Sequence, residues 1–364
     1  MPLDPDLAAW LRLSLTPGLG GAALRRLLTA LGDPARVLAA SRSALAQHVG
    51  DAAAAAIQRG GATEDVAAAG RWLEDPGNRV LTLADLLYPS RLLQIADPPP
   101  LLYVKGRAEL LSRPSLAIVG SRNATAQGMA NAEAFARTLS DAGLTIVSGL
   151  ALGADTAAHR GGMAGASSSV AVLGTGADII YPARNRALAH ELAEHGALVT
   201  EFALGSRALA GNFPRRNRLI SGLALGCLVV EAAADSGSLI TARLAAEQGR
   251  EVFAIPGSIH SPLAKGTHAL IKQGAKLVEN ARDILEELQM PVPPASASAA
   301  PAAAPADARA RDLLAALGDD ACDRDAIAAR CRLQPAEVAA LLTQLELDGL
   351  VAVLPGGLIQ RVRR

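Results

Sequence analysis

The stretch LAIVGSR (residues 116–122) joins a short apolar run to a glycine, a serine and an arginine. A short apolar run that ends in a cluster of glycine or serine, followed by a helical pattern, returns three times: LTIVSGLALGAD (144–155), VAVLGTGAD (170–178) and CLVVEAAADSGSLITA (227–242). Short apolar runs that alternate with helices are typical of buried parallel strands joined by crossover helices. With ALVTEF (197–202) and EVFAIPG (251–257), the sequence predicts an α/β fold with at least six parallel strands.

Ligands of such sheets bind at the carboxyl ends of the strands, where helix N-termini offer free N–H groups to anions. The segment NFPRRNRLISG (212–222) adds three arginines to this setting, Arg215, Arg216 and Arg218. Pro214 suits the first position of a helix, so we expect the arginines in the first turn. Cations there oppose the helix dipole unless an anion is bound. The alternative is that some of them pair with acids such as Glu201 or Glu231.

Two strand-to-helix loops are candidates for phosphate binding. One contains Gly120, Ser121 and Arg122, and the other contains Ser236, Gly237 and Ser238. Glycine lets a ligand approach the backbone closely, and arginine can hold a phosphate with two hydrogen bonds. Together with the arginine segment, the loops predict a groove for a polyanion.

Composition limits the classes of function. The chain has 364 residues, with 35 basic and 35 acidic side chains, so a nucleic-acid site must be a local patch. Three scattered cysteines, Cys227, Cys322 and Cys331, favour neither a disulfide framework nor a zinc site and fit a reducing compartment. The N-terminal order of charge and apolar residues is wrong for a signal peptide, and no apolar run approaches the ~18 residues of a membrane span. We expect a cytoplasmic protein.

The pattern divides the chain into three units and a linker. Residues 1–80 are predicted to form short helices, in which LTPGLGGAALRRLLTAL (15–31) fits either a helix-hairpin-helix turn or an ordinary helical corner. The α/β unit covers 81–290, and the Pro/Ala-rich stretch 291–306 is predicted to be a linker. Three helices and a Gly-Gly hairpin over 307–364 indicate a winged helix.

The third helix of this C-terminal unit, predicted over 336–347, would be its recognition helix. It carries Glu337 and Glu346 and no basic residue, and Asp348 follows it directly. This charge argues against strong binding in a DNA groove. A partner-binding or structural role for the winged helix therefore fits at least as well as DNA binding.

Motifs for enzymatic chemistry are weak. The stretch Gly174-Thr175-Gly176 lacks the third glycine of a dinucleotide fingerprint, and the chain has no Walker A motif. Asp155 and His159 are spaced as a helical pair and are expected to form a structural hydrogen bond. His260 and His268 have no accompanying set of metal ligands. We therefore predict no catalytic residues, no cofactor and no metal.

Taken together, the motifs of the α/β unit resemble the DNA-processing protein A family, also called Smf. They occur in the family's order and spacing: VGSR (119–122), SGLALGADTAAHRGG (148–162), GTGADIIYPARN (174–185), FPRRNRLISGL (213–223), SGSLITA (236–242), GREVFAIPG (249–257) and GTHALIKQGA (266–275). The flanking helical domain, often SAM-like in the family, and the winged helix match more weakly. One departure is Asp235, an acid where the family often has a basic or neutral residue.

The resemblance implies an extended Rossmann-like fold that binds single-stranded DNA. It also implies a homodimer that loads the recombinase RecA onto that strand in natural transformation and helps to displace single-strand binding protein. The family's DNA pocket would fall on Gly120, Ser121, Arg122, Phe213, Arg215, Arg216, Asn217 and Arg218. In this interpretation Phe213 is a platform on which a base stacks.

Two other functions remain as alternatives. LOG-type nucleotide phosphoribohydrolases have a similar Rossmann variant, but their active site needs a Pro-Gly-Gly-x-Gly-Thr-x-x-Glu stretch. The corresponding segment here, EAAADSGSLITAR (231–243), has neither the glycine pattern nor the final glutamate. A sequence-specific regulator that reads DNA through its winged helix is disfavoured by the acidity of that helix.

Overall fold

The computed structural model of the chain describes residues 3–60, 62–292, 307–318, 321–354 and 356–363. The predicted linker therefore lies outside the described residues except for Pro291 and Val292. Within the described part of the chain, no helix combines the length and apolarity that crossing a membrane requires.

The N-terminal unit consists of six short helices, as the sequence pattern predicted. They are α1 Pro5–Ser14, α2 Gly21–Leu31, α3 Pro34–Ala39, α4 Arg42–Val49, α5 Asp51–Arg59 and α6 Thr63–Trp72. Side chains of Asp4, Asp33 and Ser41 accept hydrogen bonds from backbone N–H groups at the starts of α1, α3 and α4, which stabilises these N-termini. The helices enclose an apolar core of their own that includes Leu24, Leu27 and Leu45.

A nine-stranded sheet forms the centre of the α/β unit. Its strands are β1 Asn78–Thr82, β2 Leu101–Gly106, β3 Ser115–Val119, β4 Thr145–Ser148, β5 Ser169–Val172, β6 Ala197–Thr200, β7 Gly226–Val229, β8 Glu251–Ala254 and β9 Lys276–Leu277. Their order is β1-β2-β6-β5-β4-β3-β7-β8-β9. The six predicted parallel strands, β3 to β8, are confirmed, and β9 is a seventh. The antiparallel strands β1 and β2 were not among the predicted strands.

Helices cover both faces of this sheet. They are α7 Ala126–Asp141, α8 Ala154–Ala164, α9 Arg186–His195, α10 Asn212–Leu223, α11 Ser238–Glu247, α12 Lys265–Lys272 and α13 Ala281–Glu287. Successive residues of a strand point to opposite faces. In β3, accordingly, Ala117 and Val119 join one core, and Leu116 and Ile118 join the other.

The strand order places a crevice at the end of β3. The chain passes from β3 to β4 on one side, whereas β7 pairs with β3 on the other side. Such a reversal of strand order is the usual ligand position in open α/β sheets.

The C-terminal unit has the predicted winged-helix arrangement. Helices α14 Ala308–Leu317, α15 Arg324–Cys331 and α16 Pro335–Leu347 precede an antiparallel pair, β10 Val351–Val353 and β11 Ile359–Arg361. Gly356 and Gly357 adopt φ values of +85° and +77° in the connection between these strands, a conformation that glycine adopts readily. Glu337 and Glu346 of α16 are exposed, so the acidity predicted for this helix lies on its surface.

Candidate functional site

A cavity of about 820 Å³ lies at the carboxyl ends of the central strands. Nine of the eleven predicted site residues line it: Gly120, Ser121, Arg122, Phe213, Arg216, Asn217, Ser236, Gly237 and Ser238. The other two, Arg215 and Arg218, do not. A second cavity of about 460 Å³ lies near Trp10 and Arg25, and none of the predicted site residues lines it.

The direction of side chains around α10 explains this division. Residues at positions i, i+3, i+4 and i+7 share one face of a helix. Phe213, Arg216, Asn217 and Ile220 have this spacing, and all four line the cavity. The helix begins at Asn212 and not at Pro214 as expected, so Arg215 is its fourth residue, and Arg216 and Arg218 lie beyond its first turn. The argument from the helix dipole is correspondingly weaker.

Arg215 and Arg218 share a carboxylate. Oε2 of Glu201 accepts hydrogen bonds from Nη2 of Arg215 at 2.9 Å and from Nη2 of Arg218 at 2.5 Å. Arg218 also donates to the carbonyl oxygen of Asp97, and its side chain is only 12% exposed. The pairing alternative is therefore confirmed for these two arginines. The side chain of Arg215 keeps 54% of its surface exposed.

Arg216 is a buried cation in the wall of the cavity. Its Nη1 donates to the carbonyl oxygen of Gly149 at 2.6 Å and to that of Val172, and its Nε donates to Oδ1 of Asn217 at 3.2 Å. Burial lowers the pKa of Arg216 to about 10, an effect that the charge of Asp155 partly offsets. The guanidinium therefore holds the ends of β4 and β5 together as well as facing the cavity.

The loop after β3 is fixed by close packing. A Cβ atom at Gly120 would lie 2.7 Å from Cβ of Ala154 and 3.1 Å from the carbonyl oxygen of Glu231. The absence of a side chain at Gly120 thus lets the start of α8 pack against this loop. We had expected a ligand in that space. Ser121 is buried, whereas Arg122 is exposed at the mouth of the cavity.

Glu231 connects the loop after β7 to the loop after β3. Its carboxylate accepts hydrogen bonds from the backbone N–H of Thr125 at 2.9 Å and from its hydroxyl at 2.7 Å. Thr125 is the N-cap of α7, and Gly128 leaves room for the carboxylate, since a Cβ there would lie 2.4 Å from Cδ of Glu231. Of the two acids named for the pairing alternative, Glu201 is therefore the one that pairs with arginines, and Glu231 is held by Thr125 instead.

Two aromatic rings meet at one side of the cavity. The ring of Phe213 packs against Gly174, where a Cβ would lie 2.8 Å from Cδ1 of the ring. The guanidinium carbon of Arg122 lies 5.8 Å from the centre of the same ring. Tyr181 lies next to Phe213, with ring centres 5.6 Å apart and planes at 40°. Tyr181 was not predicted, although an aromatic residue in a strand-to-helix segment is a usable signal in a chain with only 2% aromatic residues.

The Ser236–Ser238 loop also lines the cavity. Its two hydroxyls are 2.8 Å apart, so each is a hydrogen-bond partner for the other. Ser238 is the first residue of α11 and is buried, whereas Gly237 is exposed. Asp235 is also exposed and is not a lining residue of the cavity.

Asp155 and His159 form structural hydrogen bonds, as predicted, but not with each other. Both bind the backbone of residues 149–151: Oδ2 of Asp155 accepts from two N–H groups, and Nε2 of His159 accepts from the third at 3.2 Å. Nδ1 of His159 lies 2.8 Å from the hydroxyl of Ser169. Burial raises the pKa of Asp155 and lowers that of His159 to about 3, so the imidazole is neutral. Among the described residues, no cluster of three or more His, Cys, Asp or Glu could hold a metal ion.

Two family models match the chain. The model of DNA recombination-mediator protein A matches residues 79–289, which contain every residue of the large cavity. The model of the DprA winged helix domain matches residues 297–357.

Individual relatives agree with these matches. The chain is 45% identical to Protein Smf of Escherichia coli over 299 residues, which is 80% of either chain. It is 44% identical to the DNA processing protein DprA of Streptococcus pneumoniae over 57% of this chain and 73% of that protein.

Solved structures show the same fold. The X-ray structure of DprA from Streptococcus pneumoniae superposes with a TM-score of 0.67 at 35% identity, over 80% of this chain and all of that chain. A Helicobacter pylori DprA structure, described as showing a single-stranded DNA binding mode, superposes with a TM-score of 0.53 at 30% identity, over 58% of this chain and 96% of that one.

Proposed function

Because the chain belongs to the DNA recombination-mediator protein A family, we propose that it binds single-stranded DNA in the large cavity and delivers the strand to RecA. The observation that carries the proposal is that nine of the residues predicted from the sequence line a single cavity. They combine an exposed arginine, a half-buried aromatic ring and the start of α11, which are features that hold phosphates and bases.

Arg122 is the cation best placed to contact a phosphate. It is exposed, it lies beside Phe213, and no carboxylate within the described residues forms an ion pair with it. Arg216 contributes positive potential from inside the wall, while Arg215 and Arg218 share the single carboxylate of Glu201, which offsets part of their charge. A strand bound here would therefore contact fewer cations than the four arginines of the sequence suggest.

The test is fluorescence anisotropy with matched single-stranded and duplex oligonucleotides at several salt concentrations. We expect tighter binding of the single strand and a log–log salt slope of about −0.7 per phosphate contacted. Arg122→Ala should weaken binding and make the slope less steep. Arg113→Ala is the matched control, because Arg113 is an equally exposed arginine just before β3, at the opposite end of that strand. Equal affinity for both DNA forms would overturn the proposal.

The same proposal includes a homodimer that loads RecA and helps to displace single-strand binding protein. Family membership supports this part of the proposal. It is tested by following the ATPase activity of RecA on DNA coated with single-strand binding protein, with and without this protein. A failure to shorten the lag would remove RecA loading from the proposal and leave strand binding in place.

We propose no enzymatic activity for the cavity. The phosphoribohydrolase alternative would need a free glutamate near the loop after β7, and Glu231 is held there by Thr125. Release of free base from a nucleoside monophosphate, lost in Glu231→Ala, would restore that alternative.

A further inference from the structure

Tyr181 presents the most exposed aromatic surface of the cavity. It lies in the segment between β5 and α9, lines the cavity, and is 49% exposed. Its hydroxyl makes no hydrogen bond within the described residues, so a polar anchor does not explain the position of the ring. An exposed ring beside a cationic groove is the usual arrangement in proteins that stack bases without regard to sequence.

Phe213 supports this ring and is itself partly covered. It packs against Gly174 on its edge, and Arg122 lies over it at 5.8 Å. The centres of the two rings are 5.6 Å apart with planes at 40°, within the range of favourable aromatic pairs. Phe213 thus fixes the ring of Tyr181, while the other surface of Tyr181 remains open to a ligand.

We propose that Tyr181 is a second base-stacking residue of this site, next to the one expected at Phe213. The ligand is a base of a single strand whose phosphate lies beside Arg122. This inference rests on the proposed function. Because stacking uses the face of a base and not its edge, the contact should accept all four bases. The order Arg122, Phe213, Tyr181 along the wall would then hold one phosphate and two neighbouring bases.

The test compares Tyr181→Ala and Tyr181→Phe by anisotropy with an oligothymidylate and with a strand of equal length that carries abasic residues. Tyr181→Ala should weaken binding of the oligothymidylate by about 5- to 150-fold, which corresponds to 1–3 kcal/mol at 1.4 kcal/mol per tenfold. Tyr181→Phe should stay within about twofold of the wild type, because the ring is kept. The salt slope should not change in either variant, because no charge is removed.

The abasic strand separates stacking from other roles. Wild type and Tyr181→Ala should bind it equally, because it offers no base. Equal weakening on both strands, or a loss in Tyr181→Phe as large as in Tyr181→Ala, would overturn the stacking role. So would wild-type affinity of Tyr181→Ala for the oligothymidylate. If Tyr181→Ala fails to fold by circular dichroism, Tyr181→Leu takes its place, because leucine fills space without a π face. A wild type that binds no single strand would instead overturn the proposed function.

Discussion

Replacement of Arg216 should lower the stability of the protein before it affects any ligand. The side chain is 5% exposed and donates hydrogen bonds to carbonyl oxygens at the ends of β4 and β5. A hydrogen bond from a charged group contributes about 1.5–3 kcal/mol, so the two carbonyl bonds together contribute about 3–6 kcal/mol. For a domain of this size, a loss of that amount lowers the melting temperature by about 6–24 °C.

The assay is urea denaturation of the wild type, Arg216→Ala and Arg216→Met at pH 7, with circular dichroism as the signal that reports unfolding. Arg216→Met separates the hydrogen bonds from the volume of the side chain, because methionine fills most of the space without a donor. We expect a lower free energy of unfolding for both variants. The loss should be larger in Arg216→Ala, because alanine also leaves a cavity. Wild-type stability of Arg216→Met would refute the reasoning, since the carbonyl oxygens of Gly149 and Val172 would then need no cationic partner.

Three further outcomes follow from the structure. Gly174→Ala should weaken single-strand binding by about 1–3 kcal/mol, the loss that we also expect of Phe213→Ala, because the new Cβ would lie 2.8 Å from the Phe213 ring; anisotropy checks this, and undiminished affinity would contradict it. Burial lowers the pKa of His159 from its ordinary value of 6.5, which holds in the unfolded chain, to about 3 in the folded protein, so the unfolded chain takes up the proton first and stability falls as the pH is lowered from 6.5 towards 3. Between pH 6.5 and 5 the loss should be about 2 kcal/mol at 1.36 kcal/mol per pH unit; urea midpoints measure it, and His159→Gln should show a smaller loss. A chain truncated after Met290 should keep its fold and most of its single-strand affinity, because the lining residues of the cavity all precede residue 264; loss of binding with an intact circular dichroism spectrum would place the DNA site elsewhere.

The parallel strands could be predicted because their signal is local. Each combines a short apolar run with a glycine or serine at its end, and burial on both faces requires that composition. Strand β1 has no such apolar run. Strand β2 does have one, LLYV shortly before Gly106, but it pairs with β1 and with β6, which lies almost 100 residues away in sequence, so its antiparallel direction could not be predicted from that run. Strand β9 has only two residues, too few for any periodicity.

The sequence predicted most of the residues that line the cavity, but it did not predict their burial or their hydrogen-bond partners. The loops after β3 and β7 and the arginine segment were expected to lie together, because carboxyl ends of parallel strands share one edge. Arg216 faces the cavity, whereas Arg215 and Arg218 bind Glu201. This difference depends on where α10 begins and on residues distant in sequence, such as Asp97, which lies 121 residues from Arg218. No pattern within the segment 212–222 contains that information.

The bridge between Glu231 and Thr125 has a consequence for the kinetics of binding. It joins the loops after β3 and β7 to each other before a ligand arrives, and close packing at Gly120 and Gly128 brings the same two loops into direct contact. A strand that enters pays little for ordering the protein. Encounter is then governed by diffusion and by the charge of Arg122, and strands that differ in affinity differ mainly in how slowly they leave.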